Sequence, residues 1–186
     1  MALLLLQPWP WASATDAPVA AEQQMDAARS RVGFQLRTRW GQRVDGRLPV
    51  LEGERRVLAD GRHQVRMVLD ASGVQVEESD RLDAMARGEA FFDSDHHPRI
   101  VFLSDPYPAA LLQAGGEVHG WLQIRGVRRP EVFVLAPATC AAPGIRCPVL
   151  ARGSITRRDY GMDGFRLALA ARVQFALSLW LQEPAP

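Results

Sequence analysis

Beyond residue 30 the chain is dominated by alternation. Val32, Phe34 and Leu36 are interleaved with Gly33, Gln35 and Arg37, and Val44, Gly46, Leu48 and Val50 repeat the pattern. A period of two sends successive side chains to opposite faces of a sheet, so each run predicts a strand with one apolar face. Residues 54–58 continue the meander, with Asp60-Gly61 as a hairpin turn. Val65, Met67, Leu69 and Ala71 then alternate with Gln64, Arg66, Val68 and Asp70. The stretch Gly120 to Pro130, GWLQIRGVRRP, reads as a strand, a turn at Gly126 and the start of a second strand. Pro130 donates no ladder hydrogen bond, so it fits only a strand start or an edge. Further strands are expected over 100–102, 118–124, 132–136, 149–156 and 167–181, the last with Val173, Phe175, Leu177, Leu179 and Leu181 on one parity.

One stretch changes period. Ser79 or Asp80 can cap a helix, Leu82, Met85 and Ala86 share a helical face, and Gly88 can end it. The expected helix is about two to three turns long. About eight strands and one short helix argue for an antiparallel sandwich or barrel. Long strands with one apolar face each favour an all-β, eight-stranded antiparallel β-barrel, just wide enough to be filled by side chains or to hold one ligand.

Composition narrows the partners. The chain has 186 residues, 23% charged, with a net charge of +1. That balance gives no reason to expect nucleic acid. The longest apolar run, Ala2 to Leu6, is too short to span a bilayer. The same run, followed by Ala12-Ser13-Ala14, resembles the core and cleavage pattern of an export signal, although it lacks a basic start and its apolar region is short. Residues 1–28 are therefore expected to be a degenerate signal-like leader and linker, and residues 29–182 the barrel domain. Cys140 and Cys147 enclose a loop with Pro143 and Gly144. In an exported protein a disulfide is the expected reading, worth about 2.5 kcal/mol for so short a loop. Two thiols alone lack the remaining ligands of a structural zinc site.

Four signatures, correctly ordered, give a resemblance. They are Ser30 and Phe34 with Val44-x-Gly46; Phe92-Asp93 followed by Pro98-x-Ile100-x-Phe102; Gly120-x-Leu122-x-Ile124-x-Gly126-Val127-x-Arg129-Pro130; and Arg157-x-Asp159-Tyr160-Gly161-Met162. Together, from about Arg29 to Leu181, the chain resembles the YceI-like family, the lipocalin-like polyisoprenoid-binding proteins of the bacterial periplasm. The resemblance implies an eight-stranded lipocalin-like barrel with one short helix at an end. Its hollow core would take an isoprenoid tail such as that of a quinone, for storage or transport, without catalysis. The helix region follows the family pattern loosely, and the segment 137–148 is shorter and richer in proline than the pattern.

A polyprenyl chain is held by apolar area removed from water, at about 25 cal/mol per Å² before association costs. The inward parity offers Phe34, Leu36, Met67, Leu69, Ile100, Phe102, Leu122, Ile124, Phe175 and Leu177 as the apolar bore. Each is equally at home as barrel packing. Gly46, Gly120 and Gly153, on the same parity, would widen the bore or mark bends. Arg157, Asp159 and Tyr160 are candidate headgroup contacts, or a turn held by its own hydrogen bonds. Asp93, Asp95, His96 and His97 have metal-ligand chemistry, but adjacent histidines in an extended loop point apart, so no metal is expected. Glu117 and His119 share a strand face and can pair. Ser154 stands without a histidine nearby in sequence, and no nucleophile motif is present, so an enzyme is not expected. The alternative is a non-enzymatic periplasmic interaction protein that uses the outer barrel face through Trp121 and Trp180. The expected partner is an isoprenoid lipid, with no other cofactor; a homodimer is compatible with this reading. In material taken from the periplasm, Cys140 and Cys147 should resist alkylation until reduced; free thiols there would remove the bridge.

Overall fold

The computed structural model describes residues 19–77 and 79–183. Its eleven strands are β1 (Val19–Gln24), β2 (Arg31–Arg37), β3 (Arg43–Leu48), β4 (Val50–Leu58), β5 (His63–Asp70), β6 (Gln75–Val76), β7 (Arg99–Ser104), β8 (Gly116–Ile124), β9 (Val127–Leu135), β10 (Val149–Thr156) and β11 (Arg172–Leu179). Two helices, α1 (Asp80–Arg87) and α2 (Leu111–Ala114), and a 3-10 turn at Arg157–Tyr160 complete the elements of the described residues. The strands form one antiparallel sheet in the order β1-β4-β5-β7-β8-β9-β10-β11-β2-β3-β6, curled into a half-barrel. The chain itself bridges the two ends of the sheet, because β3 and β4 are separated by Pro49 alone. Proline offers no ladder donor, but its carbonyl still accepts from Asp70 N at 2.9 Å.

The strand count corrects the expected eight. Pro49 interrupts what reads as one run from Val44 to Val50 and splits it into β3 and β4. β1 falls in the stretch read as linker; it pairs only with β4 and is exposed on nearly every residue, so no alternation announces it. β6 is two residues long and too short to show a period. The signal-like segment at residues 1–18 lies outside the described residues. The last strand starts later than residue 167 because the chain from 163 to 171 is drawn into turns. Among the described residues no helix is long and apolar enough to cross a membrane.

Elsewhere the predicted parity holds except in β5, where Val68, expected to face outward, is 1% exposed. Val32, Phe34 and Leu36 of β2, Leu122 and Ile124 of β8, and Val173, Phe175 and Leu177 of β11 are all buried. Each such side chain contributes about 1.5–3 kcal/mol relative to an exposed position. Pairing aligns these positions across the wall: Gly46 faces Phe34, Phe34 faces Phe175, Phe175 faces Gly153 and Gly153 faces Phe133. Helix α1 runs as its signals predict. The Ser79 hydroxyl accepts from Leu82 N at 3.4 Å, Asp80 and Asp83 sit in the positive first turn, and Gly88 ends the helix. Cys140 and Cys147 are bridged in the loop between the paired strands β9 and β10. Ser30 is buried, and its Oγ accepts from Trp180 N at 2.9 Å, tying the start of β2 to the end of β11.

The chain has two tyrosines, and both are buried. Burial pushes Tyr107 up to about 12 from 10.0, with the nearby Arg55 cation opposing. Burial, and then the hydrogen bond to Glu131, raise Tyr160 as well. A raised phenol stabilises the fold fully below the unfolded value near 10.0 and loses that contribution, for Tyr107, as the pH climbs toward about 12. Phenolate absorbance should therefore stay flat through the ordinary tyrosine range and rise only together with loss of the far-ultraviolet circular dichroism of the sheet. A phenol titrating normally in the folded protein would place that ring in solvent.

Candidate functional site

The interior of the curled sheet is not filled. A cavity of about 240 Å³ lies beneath α1. Phe34, Leu36 and Phe175 form its wall, Leu82, Met85 and Ala86 of α1 its cover, and Phe165, Ala168 and Leu169 its rim. A second cavity, of about 70 Å³, lies farther along the interior between Met67, Phe102, Phe133, Leu135 and Leu177. Phenylalanines stand between them. The centroids of Phe34 and Phe175 are 6.4 Å apart, those of Phe175 and Phe133 6.5 Å, and those of Phe133 and Phe102 5.0 Å. Phe34 and Phe175 face the first cavity, Phe102 and Phe133 the second.

All ten residues predicted for the bore are buried. Phe34, Leu36 and Phe175 line the first cavity, and Met67, Phe102 and Leu177 the second. Leu69, Ile100, Leu122 and Ile124 touch neither and pack the core. The inward glycines do not simply widen the bore. A Cβ on Gly46 would lie 2.2 Å from the Phe34 ring tip, one on Gly153 2.7 Å from the Phe133 ring, and one on Gly120 2.6 Å from the Leu103 carbonyl. Each of the first two leaves the place into which a neighbouring ring sinks, so the ring rests partly in the wall.

The candidate headgroup residues do not converge. Arg157 is 1% exposed and lines the first cavity. Its Nε donates to Ala170 O at 3.1 Å and its Nη1 to Met162 O at 2.5 Å and Gly164 O at 2.7 Å. Its Nη2 is buried without a partner. Burial lowers its pKa, and the neighbouring Arg158 adds to this. Tyr160 is turned away, donating to Glu131 Oε1 at 2.7 Å. Asp159 is exposed, and its backbone oxygen accepts from Arg129 Nε.

Other polar groups go unannounced by the sequence. Arg55 and Tyr107 line the second cavity, and His63 meets the Tyr107 ring edge-on at 6.0 Å. Burial, then the Arg55 charge, lower the pKa of His63. These residues lie on three separate segments, so no local motif could have grouped them. The Asp93 region is a turn: Asp93 Oδ1 holds His96 Nδ1 at 2.8 Å, lowering the carboxyl and raising the imidazole. Among the described residues no three histidine, cysteine or acidic side chains are placed to hold a metal. Glu117 and His119 lie 3.5 Å apart on the exposed face. Trp180 is half-buried beneath the Arg29 guanidinium at 3.7 Å, and Trp121, exposed, carries Arg128 at 4.8 Å.

A YceI-like domain model matches residues 23–180. A polyisoprenoid binding domain from Saccharophagus degradans, implicated in plant cell wall breakdown, is similar at a TM-score of 0.63 with 14% identity, over 88% of this chain and 99% of that one. BcnA from Burkholderia cenocepacia is similar at 0.57 with 18% identity, over 83% and 98%. At such identities the likeness is one of fold. No curated protein sequence matches the chain.

Gly46→Ala should push the Phe34 ring out of its seat and into the first cavity. The expected cost is about 1–3 kcal/mol in a denaturant melt, with a smaller interior. An unchanged melt would mean that the ring does not rest on that glycine.

Proposed function

The chain belongs to the YceI-like family, and on that premise we propose that its interior binds a long-chain isoprenoid lipid, such as a polyprenyl quinone, as a periplasmic carrier or store. The observation that carries this reading is the pair of apolar cavities in series. A tail that displaced the phenylalanines between them would be enclosed along its length, and burial of its methylenes would supply the affinity. Phe34 and Phe133 are seated on glycines, and the rings touch one another in tilted and T-shaped contacts, so they can move without disturbing a hydrogen bond.

The polar end of such a lipid is assigned to the first cavity. Arg157 has a free Nη2 there, and a carbonyl or hydroxyl oxygen of the headgroup would supply the missing acceptor. Asp159 and Tyr160 are engaged elsewhere and are not part of this contact. The reading is of binding without chemistry; Ser154 lies on the exposed face of β10, opposite Gln174. The disulfide fits an oxidising compartment, in keeping with a periplasmic location.

Native mass spectrometry of protein purified without detergent, followed by organic extraction, tests the proposal. A co-purifying prenyl lipid is expected. Phe102→Asp should abolish its retention. Ala151→Phe and Ala168→Trp, which add volume to the second and first cavities, should reduce uptake of a supplied quinone while the fold persists. An empty protein that also refuses quinone would overturn the reading.

A further inference from the structure

The rim of the first cavity, at Phe165, Ala168 and Leu169, is held beside a second segment far away in sequence. The hairpin between β2 and β3, residues 38–42, is joined to residues 168–170 by backbone hydrogen bonds: Arg39 N to Ala168 O and Ala170 N to Arg37 O, both 2.8 Å. Thr38 and Leu169 form a bridge between them. This edge carries the two most exposed large hydrophobic side chains among the described residues, Leu167 at 84% and Trp40 at 76%. Phe165, 50% exposed, stands beside them with its ring stacked on Phe91 at 5.8 Å, and it also lines the cavity. Three large apolar side chains exposed on one edge, one of them lining an apolar cavity, mark a candidate interaction surface.

Their setting is basic. Arg37, Arg39, Arg43, Arg166 and Arg172 are all exposed on or beside the same two segments, against two carboxylates, Asp45 and Asp163, the latter facing Arg166 at 3.4 Å. Arg43 leans on Asp45 at 3.7 Å, while Arg37, Arg39 and Arg172 make no ion pair among the described residues. Helix α1, which covers the same cavity, carries both signs in Asp80, Asp83, Arg81 and Arg87. A flat protein partner would match a continuous apolar patch. Separate aromatic and leucine tips among arginines match a bilayer surface. Tryptophan settles at the headgroup level, leucine and phenylalanine enter the acyl boundary, and arginines attract anionic phospholipid.

We propose that the edge formed by Trp40, Phe165 and Leu167 with Arg37, Arg39 and Arg166 docks the protein on anionic phospholipid membranes, with the mouth of the first cavity against the bilayer. The proposal goes beyond the interior ligand and rests on surface residues only. Docked in this way, the cavity opens where an amphiphile can pass between bilayer and protein without crossing water.

The test is flotation of the purified protein with vesicles of phosphatidylcholine, and with vesicles in which a third of the lipid is phosphatidylglycerol. Neither contains an isoprenoid, so an incorrect assignment of the interior ligand leaves the result unaffected. The protein should float with the anionic vesicles and lose binding as salt is raised. Trp40→Ser with Leu167→Ser should weaken binding by more than about tenfold. Arg39→Glu with Arg166→Glu should weaken it by at least about fivefold per arginine and remove the preference for phosphatidylglycerol. All four side chains are exposed, and an unchanged thermal melt will show that the variants are folded. Failure to float, or flotation indifferent to these substitutions, would overturn the proposal. So would a wild-type dimer that the Trp40→Ser, Leu167→Ser variant converts to monomer, since a second copy would then be the occupant.

Discussion

An interior can accept a ligand only if its walls hold more space than their own side chains fill. In this protein that condition rests on phenylalanine laid against glycine. Phe34 lies over Gly46 and Phe133 over Gly153, each directly across a strand pair. The glycines remove two Cβ atoms from the inner wall, and the rings sink into the gap. Phe34 stays tilted against Phe175, and Phe133 meets Phe175 and Phe102 in T-shaped contacts, so the interior is divided but not packed solid. A barrel lined by aliphatic residues of similar size would close on itself, as protein cores generally do.

The second support is Arg157. A buried guanidinium costs free energy unless its donors find acceptors. Here three backbone carbonyls, at Met162, Gly164 and Ala170, accept from it. Ala170 lies in the stretch expected to extend β11, and Met162 and Gly164 lie just before it. The arginine thereby curls residues 163–171 over the end of the sheet and brings Phe165 and Leu169 to the cavity rim. The rim, the unpartnered Nη2 within it and the basic apolar edge outside it have one structural cause.

The site was legible only in outline. The period of two marked all ten bore candidates as inward, and all ten are buried. It could not separate Phe102, which faces a cavity, from Leu122, its directly paired neighbour, which does not. Arg55, His63 and Tyr107 sit on different segments and form no motif, so nothing local in the sequence groups them. Of Trp121 and Trp180, the candidates for an outer-face surface, Arg29 covers the second and the first alone is exposed.

The sequence by itself determined most of the strands and their inward parity, the capped helix from Ser79 to Gly88, the bridged cysteine loop and the family signatures. These are local properties: side-chain alternation, a cap and a turn are decided within a few residues of chain. Tertiary structure decided the rest. It placed β1 on the edge of β4, broke one run at Pro49, and turned residues 163–171 into a rim. Above all it decided where space is left over. A cavity is the difference between the span of a wall and the volume of the side chains within it. That difference depends on which residues face one another across strands distant in sequence, and no periodicity along the chain records it.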